Sequence, residues 1–229
     1  MPTSRHERAL RRAGFRAVAG VDEAGRGALF GPVFAGAVVL DPERPIRGLD
    51  DSKRLDPERR EVLAERIRER ARAWAVGAAD AFEIDRWNIL EASRLAMRRA
   101  VQQIADRCDH LLTDAIHVPV ELPQIPLIHG DARSFSIAAA SILAKVHRDR
   151  ALAAWDLVFP QYGLRQNKGY GTGDHLTALE RFGPTTLHRF SFEPVRKWQK
   201  FVVWTGYPTL PQALTSRPIP HQGELFACH

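Results

Sequence analysis

Two Val-rich apolar runs stand near the start of the chain, RAVAGV at 16–21 and VFAGAVVL at 33–40, with a Gly-rich turn between them. The pattern predicts strand, loop, strand. Asp56, Pro57 and Glu58 then form a helix start, an N-cap followed by proline at the first helical position. Over 57–73, Val62, Leu63 and Ile67 recur at helical spacing among many charges, which predicts an exposed amphipathic helix. AWAVGAA at 73–79 reads as a further strand, and 83–106 as one or two helices with Ile89, Leu90, Leu95, Met97 and Val101 on the apolar face. HLLTDA at 110–115 reads as a short strand ending in an acid. A proline-containing stretch, VPVELPQIPLI, leads from there to His129, Gly130 and Asp131. SIAAASILAKV at 136–146 is apolar nearly all round, as expected of a helix packed deep against a sheet.

Strands first, then helices alternating with strands, predict an α/β domain with a mixed sheet. The 229 residues suit one domain, expected over 1–200, followed by an irregular tail over 201–229 that carries Pro208, Pro211, Pro218 and Pro220. No internal repeat is visible.

Charge narrows the partners a little. Lys and Arg outnumber Asp and Glu by 33 to 27, a net charge of +6 that favours a polyanion such as nucleic acid, or an anionic membrane surface. Cys108 and Cys228 lack zinc-like spacing and cannot build a disulfide framework, so both read as reduced thiols. The N-terminal MPTSRHERALRRAG has no apolar run to serve as a signal peptide, and no stretch is long enough to cross a bilayer. A cytoplasmic monomer without a membrane partner is expected.

The most informative segment is Val-Asp-Glu-Ala-Gly-Arg-Gly at 21–27. Adjacent side chains on a strand point to opposite faces, so Asp22 and Glu23 can serve one site only at the strand end or through a backbone twist. Taken alone, an Asp-Glu pair is more often a solvated turn. A second apolar strand, however, ends in Asp114, and Asp131 sits in a turn before the apolar helix, where it could also be an N-cap. Four acids drawn together would repel one another, and burying them unpaired is costly. Two divalent cations with hard oxygen ligands, Mg²⁺ or Mn²⁺, would offset those charges and serve phosphodiester hydrolysis. A dinucleotide-binding fingerprint would need glycine where Phe30 stands, and there is neither a Walker A sequence nor a His-Glu-x-x-His helix.

These residues, in this order, resemble a known family, ribonuclease HII, the bacterial type 2 ribonuclease H. The matching blocks are VAGVDEAGRGALFGPVFAGAVVL (18–40), DDSKRL (50–55), HLLTDA (110–115), HGDARSFSIAAASILAKVHRDR (129–150), YGLRQNKGYGTGDH (162–175) and HRFSFEPV (188–195). The resemblance implies a ribonuclease H-like mixed sheet flanked by helices, with a small C-terminal helical extension. It implies hydrolysis of RNA in RNA–DNA hybrids and nicking 5′ of single ribonucleotides in duplex DNA, with Mg²⁺ or Mn²⁺, leaving 5′-phosphate and 3′-hydroxyl ends. Asp22, Glu23, Asp114 and Asp131 match the family's catalytic and metal-binding acids. Gly25, Arg26 and Gly27 match the loop whose backbone reads the ribose 2′-hydroxyl, the group that separates RNA from DNA.

Tyr170, between two glycines, matches the tyrosine that packs on the next sugar; the bland alternative is a loop anchor. Lys53 matches a lysine near the scissile phosphate, against the alternative of a surface lysine. Lys145, Arg148 and Arg150 are candidates to line the nucleic-acid groove, though Lys145 could simply snorkel to solvent. His147, His175 and His188 have no metal-like spacing and read as structural or substrate-proximal. The chain departs from the family at Ala115, where glycine is usual, at Asn167, where histidine is frequent, and at His147, where threonine is common. The related ribonuclease HIII carries an N-terminal substrate-binding domain, for which the roughly fifteen residues before the first strand leave no room.

Overall fold

Alternation along the first strand decides the layering. β1 (Val18–Ala24) turns Ala19 and Val21 to one face and Gly20 and Asp22 to the other. β2 (Val33–Val39) pairs with it antiparallel, and β3 (Ala73–Ala79) pairs antiparallel with β2. β4 (His110–Asp114) runs parallel to β1, and β5 (Gln124–Leu127) parallel to β4. The result is a mixed five-stranded sheet of order β3-β2-β1-β4-β5. This computed structural model describes residues 2–199, and the tail expected over 201–229 lies outside them. β5 falls inside the proline-containing stretch, where the sequence offers no strand alternation. It is an edge strand, the place a sheet tolerates Pro126.

Helices cover both faces. Ala19, Val21, Ala35, Ala37 and Val39 meet Ala92, Ala96, Met97 and Ala100 of α3 (Ala81–Gln102). That helix starts at a capping box, with Asp80 accepting from the Glu83 amide and Glu83 from the Asp80 amide. It is the one-or-two-helix segment, broken by Asn88 at φ 71°. The other face carries α2 (Pro57–Arg70), capped as expected by Asp56, and the long α4 (Phe135–Val158). Leu63 and Ile67 of α2 are buried as predicted, whereas Val62 faces solvent.

Two glycines let α4 press directly on the sheet. A β-carbon at Gly20 would stand 2.0 Å from the Ser136 carbonyl carbon, and one at Gly36 would stand 2.3 Å from the Ala140 oxygen. Backbone therefore rests on backbone at both points. The start of α4 is fixed again by α1 (Arg5–Arg12), which the sequence reading did not anticipate. Buried Glu7 accepts from the Ser134 hydroxyl at 2.7 Å and from the Ser136 amide at 3.0 Å.

Beyond α4 the described residues form three short α-helices, α5 (Leu164–Asn167), α6 (Gly173–Phe182) and α7 (Glu193–Arg196). Their apolar residues close over Leu29, Phe30 and Leu152, fastening this small helical part to the loop after β1.

Candidate active site

The pleat puts Asp22 and Asp114 on one face of the sheet. Gly20 abuts α4, and Leu112 packs on Ile137 of the same helix. Asp22 and Asp114 each lie two residues further along their strands and so face the same way. The parallel register pairs Val21 with Thr113, so the next step sets Asp22 beside Asp114 although 92 positions separate them. β1 also continues through both of its acids to Ala24 instead of stopping before them.

The electrostatics confirm the crowding. Burial, then the charges of Glu23 and Asp114, push the Asp22 carboxyl well above the usual carboxylate range, against weaker stabilising bonds from Ser141 and the Glu23 amide. Burial raises Glu23 as well; Arg26 opposes that shift and Asp114 adds to it. Asp131 is raised by burial, Asp51 and Asp114, with Lys53 pulling the other way. It does not cap α4. Ser134 does, while Asp131 sits in the 3₁₀ turn Gly130–Ala132 and accepts from its neighbour's amide at 2.8 Å.

Several carboxylate oxygens are turned onto other donors: Asp22 onto the Glu23 amide (2.7 Å), Asp114 onto the Gly130 amide (2.7 Å) and Glu23 onto Arg26 (3.4 Å). Among the described residues no three acidic, histidine or cysteine side chains already stand at metal-binding geometry. The acids are neighbours whose charges oppose one another. One oxygen is left over. Glu23 Oε2 is buried and has no hydrogen-bond partner. A desolvated, unpartnered carboxylate oxygen beside two further acids is the donor chemistry a hard divalent cation takes, so the residues fit one.

The Gly25–Gly27 loop follows directly. Gly25 has φ 95°, and a β-carbon there would lie 2.1 Å from Arg148 Nε, so the fold itself demands glycine. Gly27 differs: it is exposed, and a β-carbon would meet nothing within 4 Å. Tyr170 is half-exposed, with the Arg148 guanidinium 5.1 Å from its ring centre. Arg148 thus lies under both the Gly25 turn and the tyrosine. Lys53 is exposed on a loop tied down by Ser52, whose hydroxyl bonds the Ser141 hydroxyl at 2.9 Å, and Ser141 in turn bonds Asp22.

Three of the basic residues do not form an open groove. Arg148 is fully buried, Lys145 is bonded to Asp149 at 2.7 Å, and Arg150 is engaged by Glu61 and Glu65. The sequence reading also missed Arg189, fully buried, whose Nη1 donates to the Arg26 carbonyl at 2.7 Å and whose Nε donates to the Gly31 carbonyl at 2.9 Å. Burial and nearby Arg148 push its pKa down to about 9. His175 and His188, unconnected by spacing, meet at 3.1 Å.

Of the departures, Ala115 takes φ 54°, which explains why glycine is usual there and shows that alanine holds the turn at some strain. Ala115→Gly is expected to stabilise the protein by about 0.5–1 kcal/mol, readable as a higher denaturant midpoint with an unchanged slope. Asn167 braces the tyrosine loop, donating to the Tyr162 carbonyl at 2.6 Å and accepting from the Gly169 amide at 2.8 Å. His147 bonds the Leu143 carbonyl at 2.8 Å and packs near Trp74, a structural role.

Clustered acids at the carboxyl ends of two parallel strands of a mixed sheet, with a glycine-rich loop beside them, suit a metal-dependent endoribonuclease of the ribonuclease H type. A sequence profile described as Ribonuclease HII matches residues 19–195, and the chain belongs to that family. It is 63% identical over 195 residues to a ribonuclease HII of Solibacter usitatus, covering 85% of this chain and 86% of that one. Among solved structures it is similar to the ribonuclease H2 of Pyrococcus horikoshii, with TM-score 0.68, 26% identity, and 81% and 98% of the two chains covered. It shares its fold with Bst-RNase HIII in complex with Mn²⁺, at TM-score 0.67 and 20% identity, over 84% and 72% of the two chains. The chain is thus an endonuclease acting on RNA–DNA hybrids. No helix among the described residues is long and apolar enough to cross a membrane.

Proposed function

We propose that this enzyme, besides cutting the RNA of hybrids, nicks duplex DNA on the 5′ side of single embedded ribonucleotides, leaving 5′-phosphate and 3′-hydroxyl ends. In this reading Asp22, Glu23, Asp114 and Asp131 hold two divalent cations, Mg²⁺ or Mn²⁺. The buried, unpartnered Glu23 Oε2 beside a strongly desolvated Asp22 carries it. When bound, such cations stabilise charge on both the attacking and the departing oxygen. The chain's own groups do the rest. Asp22 and Asp114 are set by the strand register, Asp131 by its turn, and Lys53 adds positive charge where a phosphate would lie beside Asp131. Arg26, half-exposed and 3.4 Å from Glu23, is within reach of a phosphate at the same place.

Substrate choice rests on the other half of the site. Gly25, Arg26 and Gly27 offer backbone to the 2′-hydroxyl, and the half-exposed ring of Tyr170 offers a packing surface for the adjoining sugar. The test uses labelled duplex DNA with one ribonucleotide, with Mg²⁺, with Mn²⁺ and with chelator. A single nick 5′ of the ribonucleotide is expected with either cation and none with chelator. Tyr170→Ala should slow that nick by about tenfold or more and affect uniform hybrid far less. Equal loss on the two substrates would reduce Tyr170 to a loop anchor.

A further inference from the structure

The two buried histidines form a bonded line with only one proton arrangement. The Thr185 amide donates to His188 Nδ1 at 2.9 Å. His188 Nε2 lies 3.1 Å from His175 Nε2, and His175 Nδ1 lies 2.9 Å from the Tyr170 carbonyl. An amide can only donate, so His188 Nδ1 is bare and its single proton sits on Nε2. A carbonyl can only accept, so His175 carries its proton on Nδ1 and leaves Nε2 bare to accept from His188. Both rings are neutral and every ring nitrogen is satisfied. A proton added to His175 would set N–H against N–H, and one added to His188 would face the Thr185 amide.

The surroundings enforce the same state. Both rings are fully buried, and Phe30 and Tyr162 each stand edge-on to His188 with ring centres 4.9 Å apart. Burial, then the neighbouring His175, pushes His188 down to about 3, and burial lowers His175 too.

What the line connects gives it meaning. At one end the Tyr170 carbonyl also takes the Thr172 amide at 2.8 Å, so the backbone beneath the tyrosine ring is held from two sides. At the other end, His188 bridges to Phe30, and the next residue, Arg189, bonds the Leu29 carbonyl through its amide and the Arg26 carbonyl through its side chain. The tyrosine loop and the Gly25–Gly27 loop share no sequence neighbourhood; the Gly169 carbonyl takes the Leu29 amide directly at 2.7 Å, and this line with Arg189 adds a second tie that acts on Tyr170 itself.

We propose that His175 and His188 are positioning residues, which hold Tyr170 at a set distance from the Gly25–Gly27 loop and so tune the enzyme for isolated ribonucleotides. The proposal rests on the reading of Tyr170 given above. His175→Phe keeps a ring of similar size and removes both bonds. It should slow nicking at single ribonucleotides by about tenfold, the size of one lost buried hydrogen bond, while hybrid cleavage falls much less. His175→Asn, which can return a donor to the Tyr170 carbonyl, should recover part of the loss. In a Tyr170→Ala background, His175→Phe should cost nothing more.

A Tyr170→Ala protein that nicks normally would sink the tyrosine reading and this one together. Impaired Tyr170→Ala with an additive double mutant, or equal loss on both substrates, would overturn the positioning role alone. Long-range nitrogen–proton spectra of the unmodified protein supply a check that needs no variant. His175 should appear as the Nδ1–H form and His188 as the Nε2–H form, both still neutral at pH values where an ordinary imidazole is protonated, and a ring titrating near its ordinary value would refute the line.

Discussion

Asp22→Asn should lower single-turnover cleavage by about 10⁴-fold while raising the melting temperature of the cation-free protein at neutral pH. The two effects share one cause. Asp22 is buried, and its charge is opposed by burial itself and by Glu23 and Asp114. An amide keeps the shape and the bond to the Glu23 amide but loses the charge that would hold a cation. The sign for stability follows from the raised pKa values of Asp22 and Glu23. A carboxyl raised in the folded state contributes stability at pH below its unfolded value, and that contribution is lost as pH rises through the folded value. The cation-free enzyme should therefore weaken from the ordinary carboxylate range towards neutrality, and Asp22→Asn should flatten that decline. Saturating Mg²⁺ or Mn²⁺ should restore stability to the unmodified protein near neutrality, by about 2.7 kcal/mol at a hundredfold excess over Kd, and much less to the variant. Melting curves across pH with and without cation, beside the cleavage rates, read all of this. A variant less stable than the parent at neutral pH, or within tenfold of its activity, would remove the case for Asp22 as a ligand.

All-DNA duplex should survive, by a factor of about 10⁴ or more, conditions that nick the same duplex carrying one ribonucleotide. A site whose buried groups are built to bond a hydroxyl rejects the analogue that leaves them unpaired. The two loop glycines separate this from a general nuclease. Gly27→Val has open space around its β-carbon, so the melting temperature should hold while ribonucleotide cleavage falls by about a hundredfold through crowding of the sugar. Gly25→Ala meets a left-handed backbone and the Arg148 side chain, so it should lose stability and activity together. Cleavage by Gly27→Val at the parental rate would mean that the sugar does not approach this loop.

Strands and helices were legible wherever the pattern was local. β3 matches its predicted span and α2 starts at its predicted cap, whereas the pairing that sets Asp22 beside Asp114 is a matter of strand order that no local pattern carries. What escaped had non-local causes. β5 is an edge strand specified by pairing with β4, not by its own residues, and α1 has so few apolar positions that its placement rests on Leu10 in the core and Glu7 docking on α4. Arg148 reads as a surface base in a run of charges, yet the fold buries it beneath Gly25, and nothing in linear spacing brings His175 to His188. The motif also implied converging acids without showing that several of their oxygens accept from backbone amides and Arg26.

The contacts of Gly20 on Ser136 and Gly36 on Ala140 bear on how this enzyme can change over time. Because Gly36 is the register partner of Asp22, and Gly20 stands two residues before it, the depth at which this strand sits on α4 is set at these points by main chain against main chain. Side chains elsewhere in the core can be exchanged for others of similar volume, and the adjustments they force need not reach that seat. Drift should therefore run freely through the aliphatic interior and halt at two positions that carry no side chain at all, where a single added methyl group would move the strand that carries Asp22.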